Sequence, residues 1–144
     1  MKIIFTIYLV LFYSIIIVNG QLKFDKIFSD NMVLQRDKPI KIWGIAKPGS
    51  IIQVSKGDQK KITKTKSDAT WFVIFNAEKA NTSPQSIKAK TNADAISINN
   101  ILIGDVWLCI GQSNMEWPMF KEEHFRQEKS NSNNPLLRWY NPTY

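Results

Sequence analysis

Between Leu22 and Ile103, short apolar segments alternate with turn signals roughly every 8–12 residues, a spacing typical of all-β domains. The run over Ile40–Ala46 predicts a strand, because it ends at the turn signal Lys47-Pro48-Gly49. The other predicted strands are Ile51–Val54, an edge strand over Lys60–Lys66, Trp71–Phe75 packed on both sides, Ser86–Lys90 after a turn at Asn81–Pro84, and Ile96–Ile103. About six or seven such strands indicate an antiparallel β-sandwich-like domain over residues 21–103.

The pattern changes at Gly104. The run Asp105–Ile110 is almost continuously apolar, which predicts a strand buried on both faces of a parallel sheet. It ends at Gly111-Gln112-Ser113-Asn114, followed by helix-compatible residues. Reactive groups in α/β proteins lie at the carboxyl ends of strands, and serine is also a favoured helix N-cap. The residues alone therefore leave Ser113 as either a nucleophile or a helix cap in a turn.

The first twenty residues have a strongly biased composition. Lys2 is followed by the apolar run Ile3–Val18 and by Gly20, which is the organisation of a secretory signal peptide cleaved before Gln21. A membrane anchor needs about 20 apolar residues. This run is shorter, and no cluster of Lys or Arg follows it. We expect export without stable membrane association, to the periplasm or outside the cell, or to a lysosome if the host is eukaryotic.

Composition excludes several kinds of site. The 144-residue chain has a net charge of +7, one cysteine and one histidine. Cys109 cannot form a disulfide within the chain, and a four-thiolate zinc site is excluded. His124 leaves little room for a His-rich metal centre, so we expect no metal and no cofactor. The lysines between Lys56 and Lys90 are dispersed among threonines, which is typical of solvated strand faces and disfavours nucleic-acid binding.

Three segments carry a family resemblance. Gly104–Met119, which contains Gly111-Gln112-Ser113-Asn114, resembles the nucleophile block of the sialate O-acetylesterases, a family of the SGNH hydrolase superfamily. Phe28–Arg36 and Ile42–Gly49 resemble earlier blocks of the same family, in the same order. The resemblance implies a β-sandwich-like segment before a flavodoxin-like α/β domain that begins in residues 104–144. It also implies that Ser113 is the nucleophile that attacks an acetyl ester of a sugar.

Serine esterase chemistry needs a base for the hydroxyl and donors for the developing oxyanion. The Ser113 amide at a helix start can be one donor, and Gly111 permits close approach of a substrate. Gln112 and Asn114 flank the serine as further oxyanion or substrate-binding candidates. His124 lies eleven positions later, about 16 Å along a continuous helix, whereas proton transfer needs about 3 Å.

A chain reversal at Pro118 would shorten that distance, but the charged neighbours of His124 favour a solvated surface histidine. Glu116 suits a first-turn acid that interacts with the helix dipole. Trp117 and Met119 could line a substrate pocket or belong to a core. The apolar run Leu136–Tyr140 predicts a second strand whose partners are missing, so the chain looks cut short.

Two functions stay open on the sequence. In the first, the chain is the N-terminal portion of a secreted serine carbohydrate esterase that removes O-acetyl groups from sialic acids or related acetylated sugars, with the catalytic Asp and His outside it. In the second, it is a non-catalytic β-sandwich module that binds carbohydrate or another partner. We expect negligible esterase activity from these 144 residues alone. The sequence favours no oligomeric state.

Overall fold

The computed structural model describes residues 20–140, so the predicted signal peptide lies outside the described residues except for Gly20. The described residues form eight strands: β1 Lys23–Phe24, β2 Val33–Gln35, β3 Ile40–Ile45, β4 Ile51–Lys56, β5 Gln59–Lys64, β6 Thr70–Phe75, β7 Asn81–Lys90 and β8 Ala95–Gly104. Two 3₁₀ turns, Ser113–Glu116 and Met119–Lys121, and one short helix, α1 Phe125–Glu128, follow. None of the helices within residues 20–140 is long and apolar enough to cross a membrane.

The strands form two sheets, one of them curled into a half-barrel. The smaller sheet has the order β1-β3-β6 and is antiparallel. The larger sheet has the order β2-β8-β7-β4-β5. The mainly-β prediction is confirmed, but a fully antiparallel arrangement is wrong, because β2 pairs in parallel with β8. Parallel pairing needs a long connection, and the five strands between β2 and β8 provide one.

The core consists of apolar side chains on the faces that the two sheets turn towards each other. Every second residue of β3, β4 and β6 is buried, as the period of a pleated strand requires. Gly44, in the middle of β3, is also buried, and a Cβ there would lie 2.0 Å from the Lys23 carbonyl oxygen on β1. Glycine at this position lets β1 approach closely enough to pair. The fully buried members of the core include Leu22, Ile42, Ile52, Val54, Trp71, Phe75, Ile87 and Ile101.

Most predicted strands are confirmed, including β5 as the edge strand of the larger sheet. The prediction that β6 packs on both sides is wrong, since Phe72 and Ile74 are 39% and 49% exposed. β6 is an edge strand of the smaller sheet, and its second face has no layer over it in the described residues. The predicted turn at Asn81–Pro84 is instead the start of β7, where shifts in register accommodate Pro84.

The predicted buried strand at Asp105–Ile110 is wrong for the described chain. These residues belong to no strand, and Trp107 and Leu108 are 84% and 83% exposed. A strand requires a hydrogen-bonded neighbour, and no described residue pairs with this segment. The same reason applies to Leu136–Tyr140, which also forms no strand.

Candidate functional site

Ser113 begins the first 3₁₀ turn, in the segment that follows the end of β8 at Gly104. The Met115 amide donates to the Gln112 carbonyl oxygen at 2.9 Å, which closes the turn. The predicted helical start at Ser113 is confirmed only as a four-residue 3₁₀ turn, because Glu116 ends this turn and Pro118 separates it from the next. The first N–H groups of such a turn have no partner within it, which suits an oxyanion donor.

The structure describes the backbone but not the side chains of Ser113 and Asn114. The assignment of Ser113 as nucleophile and of Asn114 as an oxyanion- or substrate-binding residue therefore stays a prediction. Gln112 is exposed beside them. A Cβ at Gly111 would lie 2.5 Å from the Met115 Cγ atom, so glycine here lets the Met115 side chain fold back over the turn. Whether Gly111 also leaves room for a substrate stays a prediction.

His124 is a surface residue. Its side chain is 61% exposed, and its Nδ1 atom lies 3.2 Å from the Glu122 Oε1 atom. The His124 amide donates to the other oxygen of the same carboxylate at 2.7 Å. The predicted solvated histidine is thus confirmed, and its described polar partner is Glu122. Glu116, Trp117 and Met119 are exposed as well, so the latter two belong to no core within the described residues.

A second group of residues fixes the start of the segment that leads to Ser113. Because β2 and β8 are parallel, both strands end at the same edge of the sheet, with Gln35 opposite Gly104. Gln35 Oε1 accepts a hydrogen bond from the Val106 amide at 2.9 Å. Arg36 Nε donates to Asp105 Oδ1, also at 2.9 Å. We call Gln35, Arg36 and Asp105 the exit clasp, because they hold the chain where it leaves β8.

Backbone and side-chain contacts orient the exit clasp itself. The Arg36 amide donates to the Gly104 carbonyl at 2.9 Å, and Gln35 Nε2 donates to the Arg36 carbonyl at 3.2 Å. This second bond turns the Gln35 amide so that its oxygen faces Val106. The hydrogen bond to Asp105 raises the pKa of Arg36 above its ordinary value.

Asp37 continues this line of charges on the side away from Asp105. Arg36 Nη1 donates to Asp37 Oδ2 at 3.0 Å, and Lys79 Nζ donates to Asp37 Oδ1 at 2.7 Å. The hydrogen bond from Lys79 lowers the pKa of the Asp37 carboxyl. Charges of alternating sign therefore follow one another along Lys79, Asp37, Arg36 and Asp105.

An apolar cleft opens beside the same edge of the sheet. Its volume is about 240 Å³, and its lining includes Phe28, Met32, Gln35, Lys41, Trp43 and Val106. The rings of Phe28 and Trp43 meet edge to face with centroids 4.5 Å apart. Ligand pockets usually measure about 300–1,000 Å³. This cleft is smaller than that range.

Sequence reasoning singled out the serine segment but missed the exit clasp. Gln35, Arg36 and Asp105 do lie inside two of the three segments that carry the family resemblance, and that coincidence was the available signal. Pattern alone does not pair residues about 70 positions apart, as the contact between Arg36 and Asp105 does. Within residues 20–140, no three His, Cys, Asp or Glu side chains are grouped closely enough to hold a metal ion.

Comparison with known proteins finds relatives of one kind, each of which matches this chain over only part of its own length. No protein-family model matches this chain. Human sialate O-acetylesterase is 31% identical to it over 121 residues, which cover 76% of the chain and 23% of the human protein. The chain is homologous to part of sialate O-acetylesterase. The mouse sialate O-acetylesterase is 32% identical over 105 residues, which cover 65% of the chain and 19% of the mouse protein.

A solved structure supports the same relationship. The crystal structure of a carbohydrate acetylesterase from Xanthomonas citri matches with a TM-score of 0.74 at 30% identity, over 78% of this chain and 26% of that protein. Homology to sialate O-acetylesterase and this carbohydrate acetylesterase therefore extends to the three-dimensional fold. The chain spans about a quarter of the length of these relatives.

Proposed function

We propose that this chain is the N-terminal, nucleophile-bearing portion of a serine carbohydrate esterase that removes O-acetyl groups from sialic acids or related sugars. The observation that carries the proposal is the 31% identity over 121 residues to human sialate O-acetylesterase. The Gly111-Gln112-Ser113-Asn114 motif supports it from the sequence, and the helical turn that starts at Ser113 supports it from the structure.

In the proposed reaction, the Ser113 hydroxyl oxygen attacks the acetyl carbonyl and loses its proton to a base. The carbonyl oxygen becomes an oxyanion, which the Ser113 amide helps to stabilise. The sugar hydroxyl then leaves with a proton, and water hydrolyses the acetyl-enzyme to release acetate. Gln112 and Asn114 contribute to substrate or oxyanion binding, and Gly111 allows the substrate to approach.

The base of this reaction lies outside the described site. His124 is the only histidine of the sequence, and its ring contacts Glu122 on the surface. We therefore assign the catalytic Asp and His to sequence beyond this chain. The exposed apolar side chains of residues 106–140 also support further sequence beyond this chain. Apolar patches of this kind are typical of surfaces that another element covers. Exposed side chains of this kind include Trp107, Leu108, Ile110, Leu137 and Trp139.

The proposal is tested by acetate release from O-acetylated sialic acid, with the full-length protein that carries this sequence. Loss of a serine nucleophile removes most of the catalytic acceleration, so Ser113→Ala should lower kcat by at least about 10³-fold. Ser130→Ala is the matched control, since this exposed serine bonds only the Gln127 carbonyl, and it should retain full activity. Full activity in Ser113→Ala would contradict the proposal. No hydrolysis by the unmodified protein would favour the non-catalytic carbohydrate-binding module.

We also propose that the protein is secreted or periplasmic. The basis is the order of Lys2, an apolar run and Gly20 at the start of the sequence. Intact-mass measurement on exported protein should give an N-terminus at or near Gln21. Exported protein that retains Met1–Gly20 would contradict this.

A further inference from the structure

The exit clasp joins two parts of the chain that the sequence keeps far apart. Gln35 and Arg36 lie at the carboxyl end of β2, and Asp105 is the first residue after β8. Three hydrogen bonds cross this junction, two from side chains and one between the Arg36 amide and the Gly104 carbonyl. The described segment beyond them has no strand partner, so the clasp is the last long-range attachment before Ser113 that the structure describes.

The exit clasp contributes little to the stability of the fold. The Arg36 and Asp105 side chains are 42% and 52% exposed. Water screens ion pairs of that exposure, so they contribute little to folding. The core of the two sheets lies elsewhere and does not include these residues. The contacts of the exit clasp instead fix the direction in which the chain leaves the sheet, because they hold Asp105 and Val106, the first two residues after Gly104.

On the basis of the proposed function, we infer that the exit clasp positions the segment that carries Ser113. The eight residue-to-residue steps from Asp105 to Ser113 span at most about 28 Å when fully extended. For a segment of half that length that moves as a unit, a change of about 10° in direction at Asp105 displaces Ser113 by roughly 2 Å. A misplacement of about 1 Å in an active site can cost about 10²-fold in rate. Gln35, Arg36 and Asp105 are thus positioning residues that act through Ser113.

The test compares Arg36→Ala with Lys79→Ala in the full-length protein that carries this sequence. Arg36→Ala removes the contact to Asp105, whereas Lys79→Ala removes only the outer ion pair with Asp37. Arg36→Ala should lower kcat about 10- to 100-fold, with KM within about twofold and Tm nearly unchanged. Arg36→Lys keeps the charge but not the fork that reaches two carboxylates, so it should recover part of kcat. Lys79→Ala should behave as the unmodified protein.

A second measurement tests the clasp in the 144-residue chain without any activity. Gln35→Ala should speed hydrogen exchange at the Val106 amide about tenfold or more, because that amide loses its acceptor. Gln127→Ala, an exposed residue of α1, is the matched control and should leave Val106 unchanged.

Unchanged kcat in Arg36→Ala, or an equal loss in Lys79→Ala, would overturn the inference. So would a loss of kcat that merely follows a fall in Tm, or unchanged exchange at Val106 in Gln35→Ala. The Ser113→Ala variant distinguishes a failure of the proposed function from a failure of the inference about the exit clasp. Activity that survives in Ser113→Ala removes both the proposed function and the inference, whereas an inactive Ser113→Ala beside a fully active Arg36→Ala removes the inference alone.

Discussion

At the scale of single residues, Lys56 is the most unusual side chain of the described domain. It ends β4 and is almost completely buried, with Nζ donating to Glu78 Oε1 at 2.5 Å and to Gln85 Oε1 at 2.8 Å. Gln59 Nε2 donates to the same Glu78 oxygen at 3.1 Å. A buried ammonium is tolerated only when such partners replace its water. The Lys56–Glu78 ion pair is therefore the centre of a group of four hydrogen-bonded side chains, which also includes Gln59 and Gln85.

Glu78→Gln should destabilise the domain by about 3 kcal/mol, because it leaves the Lys56 charge buried without a counter-ion. This value is at the low end for a buried pair, since the Glu78 side chain is 23% exposed and retains some water. Urea denaturation monitored by tryptophan fluorescence measures the change. Glu123→Gln, at an exposed position, is the control and should have no effect. Equal stability of the two variants would mean that the ion pair does not support the fold.

At the scale of elements, β6 separates a buried face from an exposed one. Trp71, Val73 and Phe75 point into the core, whereas Phe72 lies on the outer face with the Lys41 and Lys66 ammonium groups 5.0 and 5.3 Å from its ring centre. Aliphatic and ammonium parts of lysine side chains thus cover an aromatic ring that no second layer covers in the described residues.

The two phenylalanines of β6 allow a matched comparison of its faces. Phe75→Ala should cost about 3–5 kcal/mol, because it empties a fully buried site. Phe72→Ala should cost less than half as much, since this ring is 39% exposed. Thermal or urea unfolding of the two variants measures these losses in the free energy of unfolding. Equal costs would indicate that a further layer covers the outer face of β6.

How far the sequence predicts these elements depends on where their partners lie. β4 and β5 pair across a two-residue turn, and β3 and the second half of β7 show clear alternation, so their positions could be predicted from Ile40, Ile52 or Ile87 outward. The apolar run Trp71–Phe75 concealed the one-sided packing of β6, because composition does not reveal whether a second layer exists. The parallel pairing of β2 with β8 depends on contacts about 70 positions apart, beyond any local pattern.

At the candidate site, too, local sequence patterns do not reveal partners that are distant in sequence. Ser113 could be found from its motif, and the helical turn that it starts could be predicted from its preference for N-cap positions. The strand predicted before it requires hydrogen-bonded neighbours that residues 20–140 do not contain. The exit clasp requires knowing that β2 and β8 end side by side, which only the fold establishes.

At the scale of the whole molecule, the described chain divides into a well-packed part and an exposed part. All buried core residues lie between Leu22 and Ile103. Residues 105–140 have short helical turns and no strand in the part of the chain that the structure describes. Segments with little burial and few backbone hydrogen bonds open at low free-energy cost.

Limited digestion with chymotrypsin should therefore cut first at aromatic residues after about position 120, such as Phe120 and Phe125. Sites of the same chemical type within Trp71–Phe75 should be cut much later, because their backbone is paired with β3 and their inner side chains are buried. Mass spectrometry of the early fragments identifies the cuts. Early cleavage within Trp71–Phe75, with the later residues spared, would contradict this division.

The proposed function makes Ser113 the nucleophile of a carbohydrate acetylesterase, and covalent labelling of that serine is the sharpest test of this role. A fluorophosphonate forms a stable adduct only with a serine that its surroundings activate. In the full-length protein that carries this sequence, peptide mass spectrometry should place the adduct on Ser113, and Ser113→Ala should abolish both labelling and acetate release. Ser132→Ala, which removes an exposed hydroxyl bonded to the Lys129 carbonyl, should change neither. An adduct on another residue, with acetate release intact in Ser113→Ala, would contradict the claim.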